Sequence, residues 1–340
     1  VLRDAGIVTG PAWAKLRYQR SSIYWQQGNY EEARRAAQEA LSLFEESLAQ
    51  RDAVAKASIP GASILTRTRL TLLGDPVDLG RTHKLLGAIA NATGQRNEAL
   101  EHHNRALAIY ERYDNQREIA HVSCNIGFLL LKKAEYHLAQ TFLRRSFSLA
   151  ERIGDIPLIS VVFHNLGELA ASSGDLQEAE TFYKRSLVLA EQVEDREYVS
   201  QWNADLAGAL LAQGKLADAE ACVCRALTTG RAMRSAPCIG PALVALGNLR
   251  IAQARTEAQK EKSLARAGNS LQHALALEGL EVETRVKGQL ALAEVSLLMG
   301  EREVARKGAE RALEEAHKYD LVGVSKDCQR LLGEMSGFQS

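Results

Sequence analysis

The residue types in this sequence that could support chemistry are adjacent histidines, closely spaced cysteines and paired carboxylates. His102 and His103 are candidates for metal coordination or acid–base catalysis, because imidazole nitrogens bind metals and exchange protons near neutral pH. Metal ligands on one helix usually recur at i and i+4, whereas two adjacent helical residues cannot readily face one ion. We therefore expect packing or solvent around both histidines, and no metal site.

The cysteines do not match a redox or zinc-binding motif. Cys222 and Cys224 are two positions apart, so on a helix their side chains would point roughly 200° away from each other. Cys124, Cys238 and Cys328 are scattered along the chain. We interpret all five as small buried hydrophobic residues of a protein in a reducing cytosol.

Known catalytic motifs are absent from the sequence. It contains no Gly-x-x-x-x-Gly-Lys-Ser/Thr phosphate loop, no Gly-x-Gly-x-x-Gly, no His-Glu-x-x-His and no Gly-x-Ser-x-Gly. Adjacent carboxylates such as Glu31–Glu32, Glu45–Glu46 and Glu314–Glu315 fit solvated helix faces rather than catalytic pairs. The sequence predicts neither an enzyme nor a cofactor.

The composition is typical of a helical globular protein. Only 6% of the 340 residues are aromatic and only 6 are proline, while Ala and Leu, which favour helix, are conspicuous. The 42 Lys and Arg residues balance 42 Asp and Glu residues, so the chain lacks the basic excess that phosphate contacts require. We expect no direct nucleic-acid binding by this segment.

The ends and the hydropathy of the chain bear on its location. No apolar run approaches the length of a membrane span and no N-terminal segment resembles a signal peptide, so we expect a cytoplasmic protein without membrane contact. The chain starts at Val1 rather than at Met, so we expect it to be part of something longer. A further domain could then hold the chemistry that this segment lacks.

Two sets of positions recur every 40 residues. The first set is Asn125, Asn165 and Asp205, and the second is Gly94, Ala134, Gly174 and Gly214. Gly28 and Gly300 mark further copies towards the two ends of the chain. Such self-similarity at a fixed period predicts a repeat protein.

One repeat, residues 160–193, reads as two helices joined by a short turn. Its second helix carries an apolar stripe at steps of 3, 4, 4 and 3, formed by Leu176, Ala179, Tyr183, Leu187 and Ala190. Gly174 stands where a helix needs a left-handed terminal residue, and Asp175 can cap the next helix. Gly167 and Ala179 are small enough for the two helices to approach closely. Each hairpin can then bury its stripe only against neighbouring hairpins.

This pattern resembles the tetratricopeptide repeat, with an apolar residue, Leu and Gly on the first helix and Ala, an aromatic and a small residue on the second. The 40-residue period is similar to the long repeats of kinesin light chains and of the sensor arms of bacterial LuxR-type ATPase regulators such as the maltose regulon activator. Residues 106–112 and 148–155 match that bacterial type. The resemblance implies an all-α, right-handed superhelical solenoid of antiparallel helix hairpins, with about seven repeats and a C-terminal capping helix.

The repeats divide the chain into five segments. We expect a divergent first repeat at 12–50, an irregular connection with an extra helix at 51–76, and four regular repeats at 78–234. Two further repeats follow at 237–318, the first with an extended, charged hairpin tip, and the capping helix is expected at 321–335.

The resemblance implies that the first helices line a concave groove. The residues expected to face a ligand there are Lys84, Asn91, His121, Asn125, Phe128, His164, Asn165, Glu168, Gln201 and Asp205. Asn125 and Asn165 occupy the place at which related proteins use a ladder of asparagines to hold the backbone of an extended peptide. The alternative is that both amides only satisfy neighbouring helix backbone or water.

The function that the resemblance implies is a protein- or peptide-binding scaffold. We expect the ligand-sensing or protein-interaction arm of a larger bacterial transcription regulator, with a protein, a peptide or a small effector in the groove. The alternative is a free-standing adaptor that assembles partner proteins. An ATPase module upstream would distinguish the regulator from the adaptor.

Overall fold

The computed structural model describes residues 10–57, 75–255 and 260–336, which form fifteen α-helices and no β-strand. The helices are α1 (Pro11–Gln26), α2 (Tyr30–Ala57), α3 (Pro76–Ala92), α4 (Arg96–Arg112), α5 (Gln116–Lys132), α6 (Tyr136–Ile153), α7 (Ile156–Ser172), α8 (Leu176–Gln192), α9 (Arg196–Ala212), α10 (Leu216–Met233), α11 (Ala236–Ala254), α12 (Lys260–Leu275), α13 (Val282–Leu298), α14 (Arg302–Lys318) and α15 (Val322–Ser336). The all-α prediction is therefore confirmed for this part of the chain. Within these ranges, no helix combines the length and the apolar character that a membrane span requires.

The chain divides into two compact units, residues 1–129 (unit 1) and 130–340 (unit 2). The boundary falls near the C-terminal end of α5. In each unit, consecutive helices pack on one another as hairpins, and first helices also contact the first helix of the next hairpin, as α9 contacts α11. This arrangement of stacked hairpins is the predicted tetratricopeptide-type architecture.

The turn between α7 and α8 has the predicted local chemistry. Gly174 has a φ of 89°, in the left-handed region, and the backbone N–H of Asp175 donates to the carbonyl of Ala170 at 2.9 Å. The Asp175 carboxylate accepts a hydrogen bond from the backbone N–H of Glu178 at 3.0 Å. The sequence-based predictions for this glycine and this cap are confirmed.

Small residues allow the two helices of a hairpin to touch. Gly167 on α7 lies directly against the ring of Tyr183 on α8, and a Cβ atom at Gly167 would be 2.8 Å from Tyr183 Cδ1. Nearer the start of α7, the hydroxyl of Ser160 donates to the carbonyl of Ser186 on α8 at 3.0 Å. The pair Ser200 and Ala226 repeats this bond between α9 and α10 at 2.8 Å. The seam of each of these two hairpins therefore includes a buried hydrogen bond between its helices.

Buried residues of seven consecutive helices in unit 2, α7 to α13, form one core. A single cluster extends from Ala170 on α7 to Val295 on α13, with members on every helix between them. The final helix, α15, packs on α14 and α13 through Val324, Cys328 and Leu331. Because successive hairpins share this core, none of the hairpins within it is stabilised by its own contacts alone.

Two predicted features lie partly outside the described residues. The second helix of the first repeat, α2, continues to Ala57, into the stretch expected to be an irregular connection, and the extra helix expected there would fall within residues 58–74. At the expected charged hairpin tip, α11 ends at Ala254 and α12 begins at Lys260, with residues 256–259 outside the described part.

Ser21 of α1 precedes the turn at Gly28 by seven residues, as Gly167 precedes Gly174, so it stands at the glycine position of the divergent first repeat. It is buried, and its hydroxyl donates to the carbonyl of Ala33 on α2 at 2.7 Å.

Alanine substitutions at two glycines test the hairpin seam. Gly167→Ala forces a methyl group into the ring of Tyr183, whereas Gly208→Ala on the exposed side of α9 meets nothing within 4 Å. Both changes carry the same gain in helix propensity, of roughly 0.5–1 kcal/mol, so the difference between them isolates the cost of overpacking. We expect Gly167→Ala to have a free energy of unfolding roughly 1–3 kcal/mol lower than Gly208→Ala, measured by urea denaturation followed by circular dichroism. Equal midpoints for the two variants would contradict a tight seam.

Candidate functional site

The predicted ligand residues lie on the first helices of four hairpins, α3, α5, α7 and α9, and are divided between the two units. Unit 1 contains Lys84, Asn91, His121, Asn125 and Phe128. Unit 2 contains His164, Asn165, Glu168, Gln201 and Asp205. Each set is described within its own unit.

The unit 1 residues are all half-buried, and Lys84 and Phe128 contact neighbouring helices. The ammonium of Lys84 on α3 lies 2.5 Å from Glu118 Oε2 on α5. Phe128, expected to line the groove, packs against the buried residues Ala90, Ala99 and Leu129. Its ring thus contributes to the packing between hairpins as well as to the surface.

The adjacent histidines of α4 point to different neighbours. His103 is buried against Gly87 of α3, where a Cβ atom would be 2.7 Å from its Cε1 atom. His102 also faces α3, but its Nδ1 lies 3.0 Å from Nδ1 of His83. Among the described residues, no group of three His, Cys, Asp or Glu side chains is arranged to hold a metal ion.

The expectation that all five cysteines are buried is confirmed for Cys124, Cys238 and Cys328. It is wrong for Cys224, which is exposed, while Cys222 is half-buried, because the two positions point to different sides of α10.

Burial keeps two of these histidines neutral. Desolvation, reinforced by the charge of Lys84, lowers the pKa of His103 to about 3, and desolvation together with the neighbouring His102 lowers the pKa of His83 to about 4. The unfolded chain binds these protons near pH 6.5, whereas the folded protein does not. The free energy of unfolding therefore falls as the pH falls below 6.5, until the folded-state pKa is reached.

In unit 2, His164 and Asp205 form a polar pair supported by aromatic rings. His164 Nε2 on α7 lies 3.0 Å from Asp205 Oδ2 on α9. The imidazole stacks on Trp202 with ring centroids 4.8 Å apart, and Trp202 stacks on Tyr198 at 4.5 Å. The Asp205 side chain nevertheless keeps 45% of its surface exposed. The pair is thus held in place while its carboxylate stays open to a ligand.

A second group of charges links helices that are far apart in the sequence. We call Lys132, Glu168, Glu283 and Lys287 the Lys132 network. Lys132, at the end of α5, binds Glu168 on α7, and its Nζ also lies 3.1 Å from Glu283 on α13, 151 residues away. Glu283 Oε1 in turn lies 2.8 Å from Lys287 Nζ, whose side chain is 49% exposed.

The electrostatics keep these groups ionised. Burial alone would lower the pKa of Lys132, but Glu168 and Glu283 raise it well above its usual value. Burial alone would raise the pKa of Glu283, but Lys132 and Lys287 hold it well below its usual range. For Asp205, the partial desolvation by neighbouring helices would raise the pKa, but the hydrogen bond with His164 and the charge of Lys287 outweigh it and lower the pKa. We call the surface of unit 2 that carries Glu168, Asp205, Glu283 and Lys287 the inner face; these residues lie within electrostatic range of one another and present charges of both signs.

The remaining predicted residues of unit 2 are less open. Asn165 is only 4% exposed, so a ligand can reach its amide only after neighbouring groups move. Gln201 is half-buried, and its amide nitrogen lies 3.5 Å from Glu197 Oε1 on the same helix. The asparagine ladder therefore stays a prediction.

Sequence reasoning missed Lys132, Glu283 and Lys287. The repeat pattern could have found Lys287. Ala293 lies seven residues before the turn at Gly300, as Ala207 lies seven residues before the turn at Gly214. Lys287 lies six residues before Ala293, which is the position that the predicted groove residue Gln201 holds before Ala207. The contact between Lys132 and Glu283 has no such signal, because it depends on how successive hairpins are rotated.

Comparison with known protein families agrees with the hairpin architecture. One family model of the tetratricopeptide repeat matches residues 78–152 and 158–232, and a second matches residues 14–47. Together these matches cover more than half of the chain. The chain belongs to the tetratricopeptide-repeat family. A search of curated proteins found no significant match.

Several solved structures resemble this tetratricopeptide-repeat protein. A Rap protein complexed with competence and sporulation factor has a TM-score of 0.65 and 16% sequence identity, covering 90% of this chain and 75% of that one. The Rap conjugation gene regulator of plasmid pLS20, in complex with the Phr* peptide, has a TM-score of 0.63 and 15% identity, covering 90% and 74%. Aspartyl phosphate phosphatase F from Bacillus subtilis has a TM-score of 0.62 and 11% identity, covering 90% and 70%. At these identities the likeness concerns the fold alone.

Replacement of His103 tests the acid sensitivity of this tetratricopeptide-repeat protein. In His103→Tyr, an aromatic ring that does not titrate takes the place that Tyr183 occupies against Gly167. Between pH 7.5 and 5.0 we expect the variant to lose about 2 kcal/mol less unfolding free energy than the natural protein, since a histidine with a depressed pKa costs about 1.4 kcal/mol per pH unit below 6.5. Urea denaturation at the two pH values measures this.

The exposed His273 provides the control for this test. His273→Tyr makes the same replacement on an exposed helix surface, and the two variants are compared at both pH values. If the loss of unfolding free energy with pH is the same in His103→Tyr as in His273→Tyr, His103 takes up its proton in the folded protein.

Proposed function

We propose that this chain is a peptide-binding scaffold in which the inner face of unit 2 holds an extended segment of a partner. The observation that carries the proposal is the pair of open, pre-oriented charges on that face, the Asp205 carboxylate beside His164 and the Lys287 ammonium beside Glu283. A peptide backbone offers N–H donors to a carboxylate and carbonyl acceptors to an ammonium. One surface thus offers both an acceptor for the backbone N–H groups of a peptide and a donor for its backbone carbonyls.

The solved structures support a peptide rather than a small metabolite. Two proteins of similar fold are described in complex with a competence and sporulation factor and with the Phr* peptide. Stacked helix hairpins also present a long surface, which suits an extended chain better than a compact molecule. The ligand class that we propose is therefore a linear peptide or an unstructured protein segment.

The proposed role is that of a ligand-sensing arm in a bacterial regulatory protein. The name of the pLS20 protein, a conjugation gene regulator, supports this role, as does the resemblance of the repeats to sensor arms of LuxR-type regulators. We propose binding without catalysis, although one protein of similar fold is named a phosphatase, because that likeness at 11% identity concerns the fold alone.

The proposed contacts follow the two units. In unit 2 they are His164, Asn165, Glu168, Gln201, Asp205 and the added Lys287. In unit 1 the predicted contacts Lys84, Asn91, His121, Asn125 and Phe128 are retained for that unit by itself. Asp205 is the most informative of them, because it combines a fixed orientation with an exposed carboxylate.

Peptide selection tests the proposal. A phage-displayed library of random linear peptides is selected on the full chain, and the enriched peptide is synthesised and titrated by calorimetry. Asp205→Asn removes the charge with almost no change of shape, so we expect a roughly 10- to 150-fold loss of affinity, the range for a hydrogen bond to a charged group. The melting temperature should stay within a few degrees of the natural protein.

The matched control is Glu220→Gln, which neutralises an exposed carboxylate on the second helix of the same hairpin, α10. Its affinity for the peptide should equal that of the natural protein. Failure to enrich any peptide, or equal affinities for Asp205→Asn and the natural protein, would reject this site.

A further inference from the structure

The contact between Lys132 and Glu283 departs from the packing rule of the stack. In unit 2, helices pack mainly on the next helix in the chain or on the next but one. Lys132 stands at the end of α5 and Glu283 in the first turn of α13, yet Nζ and Oε atoms are 3.1 Å apart. This ion pair connects the two ends of an arc of consecutive hairpins.

This contact restrains the distance between the two ends of the arc. In a stack held by contacts between neighbouring helices, small rotations at each interface add up along the chain, so the distance between the ends can vary at little cost in free energy. An ion pair that joins the ends selects one value of that distance. Lys132 and Glu283 are only 15% and 14% exposed, so solvent screens their attraction far less than that of a surface pair.

The same group of charges shares residues with the proposed peptide site. Glu168, which binds Lys132, lies three residues after Asn165 on α7, and residues three apart share a helix face. Glu283 also binds Lys287, one of the two open charges of the inner face.

We propose that the Lys132 network is a latch that holds the two ends of the inner face of unit 2 together, and that peptide binding is coupled to its opening. The coupling rests on the proposed peptide-binding function, whereas the latch itself does not. Opening separates the end of α5 from the start of α13 and makes the Glu168 and Glu283 carboxylates, which bind Lys132 in this structure, available to peptide N–H donors. A peptide then competes with the intramolecular ion pairs, and its apparent affinity is reduced by the fraction of molecules in the closed state.

Pulsed electron paramagnetic resonance tests the latch without any ligand. Spin labels are attached through encoded unnatural amino acids at Gln177 on α8 and Lys307 on α14, both exposed, in the full chain with its cysteines intact. We expect Lys132→Met and Glu283→Gln each to shift the label distance to longer and broader values. The double variant should resemble either single variant, because both changes remove the same contact.

A second ion pair provides the control. Lys215→Met removes an ion pair of 2.7 Å with Glu180, which joins neighbouring hairpins, and should leave the label distance unchanged. Circular dichroism shows whether each variant is folded. If Lys132→Met does not fold, the latch is tested with Glu283→Gln alone, which keeps the shape of the side chain.

The coupling is measured with the peptide selected on the full chain. We expect Lys132→Met to raise its affinity about tenfold, within the usual range for coupled equilibria, and Lys215→Met to leave it unchanged. Label distances identical in Lys132→Met, Glu283→Gln and the natural protein would overturn the latch. Changed distances with an unchanged affinity would overturn the coupling. If no peptide is enriched at all, the proposed function fails, and the label distances alone decide on the latch.

Discussion

The close approach of two helices at one small residue is the contact on which these hairpins depend. Gly167 meets the ring of Tyr183, Gly87 meets the ring of His103 and Gly247 meets the side chain of a leucine. A Cβ atom added at any of these three glycines would lie only 2.6–2.8 Å from its partner. In these three hairpins the large partner varies in type, while the small residue is glycine each time. The distance between the helix axes, and hence the direction in which the first helix presents its outer side chains, follows from this contact.

The fold could be predicted because its determinants are local and repeated. The left-handed Gly174 and the cap at Asp175 act within a few residues, so their roles are readable from the residue types alone. The 40-residue period then indicates that the same helix hairpin recurs along the chain. Where the pattern diverges, the structure substitutes other chemistry at the same place: Ser21 fills the glycine position with a hydrogen bond to the carbonyl of Ala33.

The candidate site could be predicted only in part, for a different physical reason. The repeat pattern tells which side of a first helix faces inward, and the predicted His164 and Asp205 do lie next to each other on one face. It does not tell which inward side chains meet, since that depends on rotations accumulated over several hairpins. Lys132 and Glu283 are 151 residues apart, and Asn165 is buried rather than open. Contacts of this range are a property of the assembled stack.

The charge balance of the chain takes on a different meaning at this level. Equal numbers of basic and acidic residues argue against a nucleic-acid surface, but they say nothing about where the charges lie. In unit 2 they are arranged so that Lys132 and Lys287 both meet Glu283 on the inner face. Hydrophobic contacts stabilise the packing of each hairpin on the next, but small rotations between hairpins accumulate, so these contacts alone do not fix the distance between distant helices. A partly buried ion pair between distant helices fixes that distance. Because the ion pair is polar, a polar ligand can replace it. The chemistry that closes the face is thus the chemistry by which a peptide could open it.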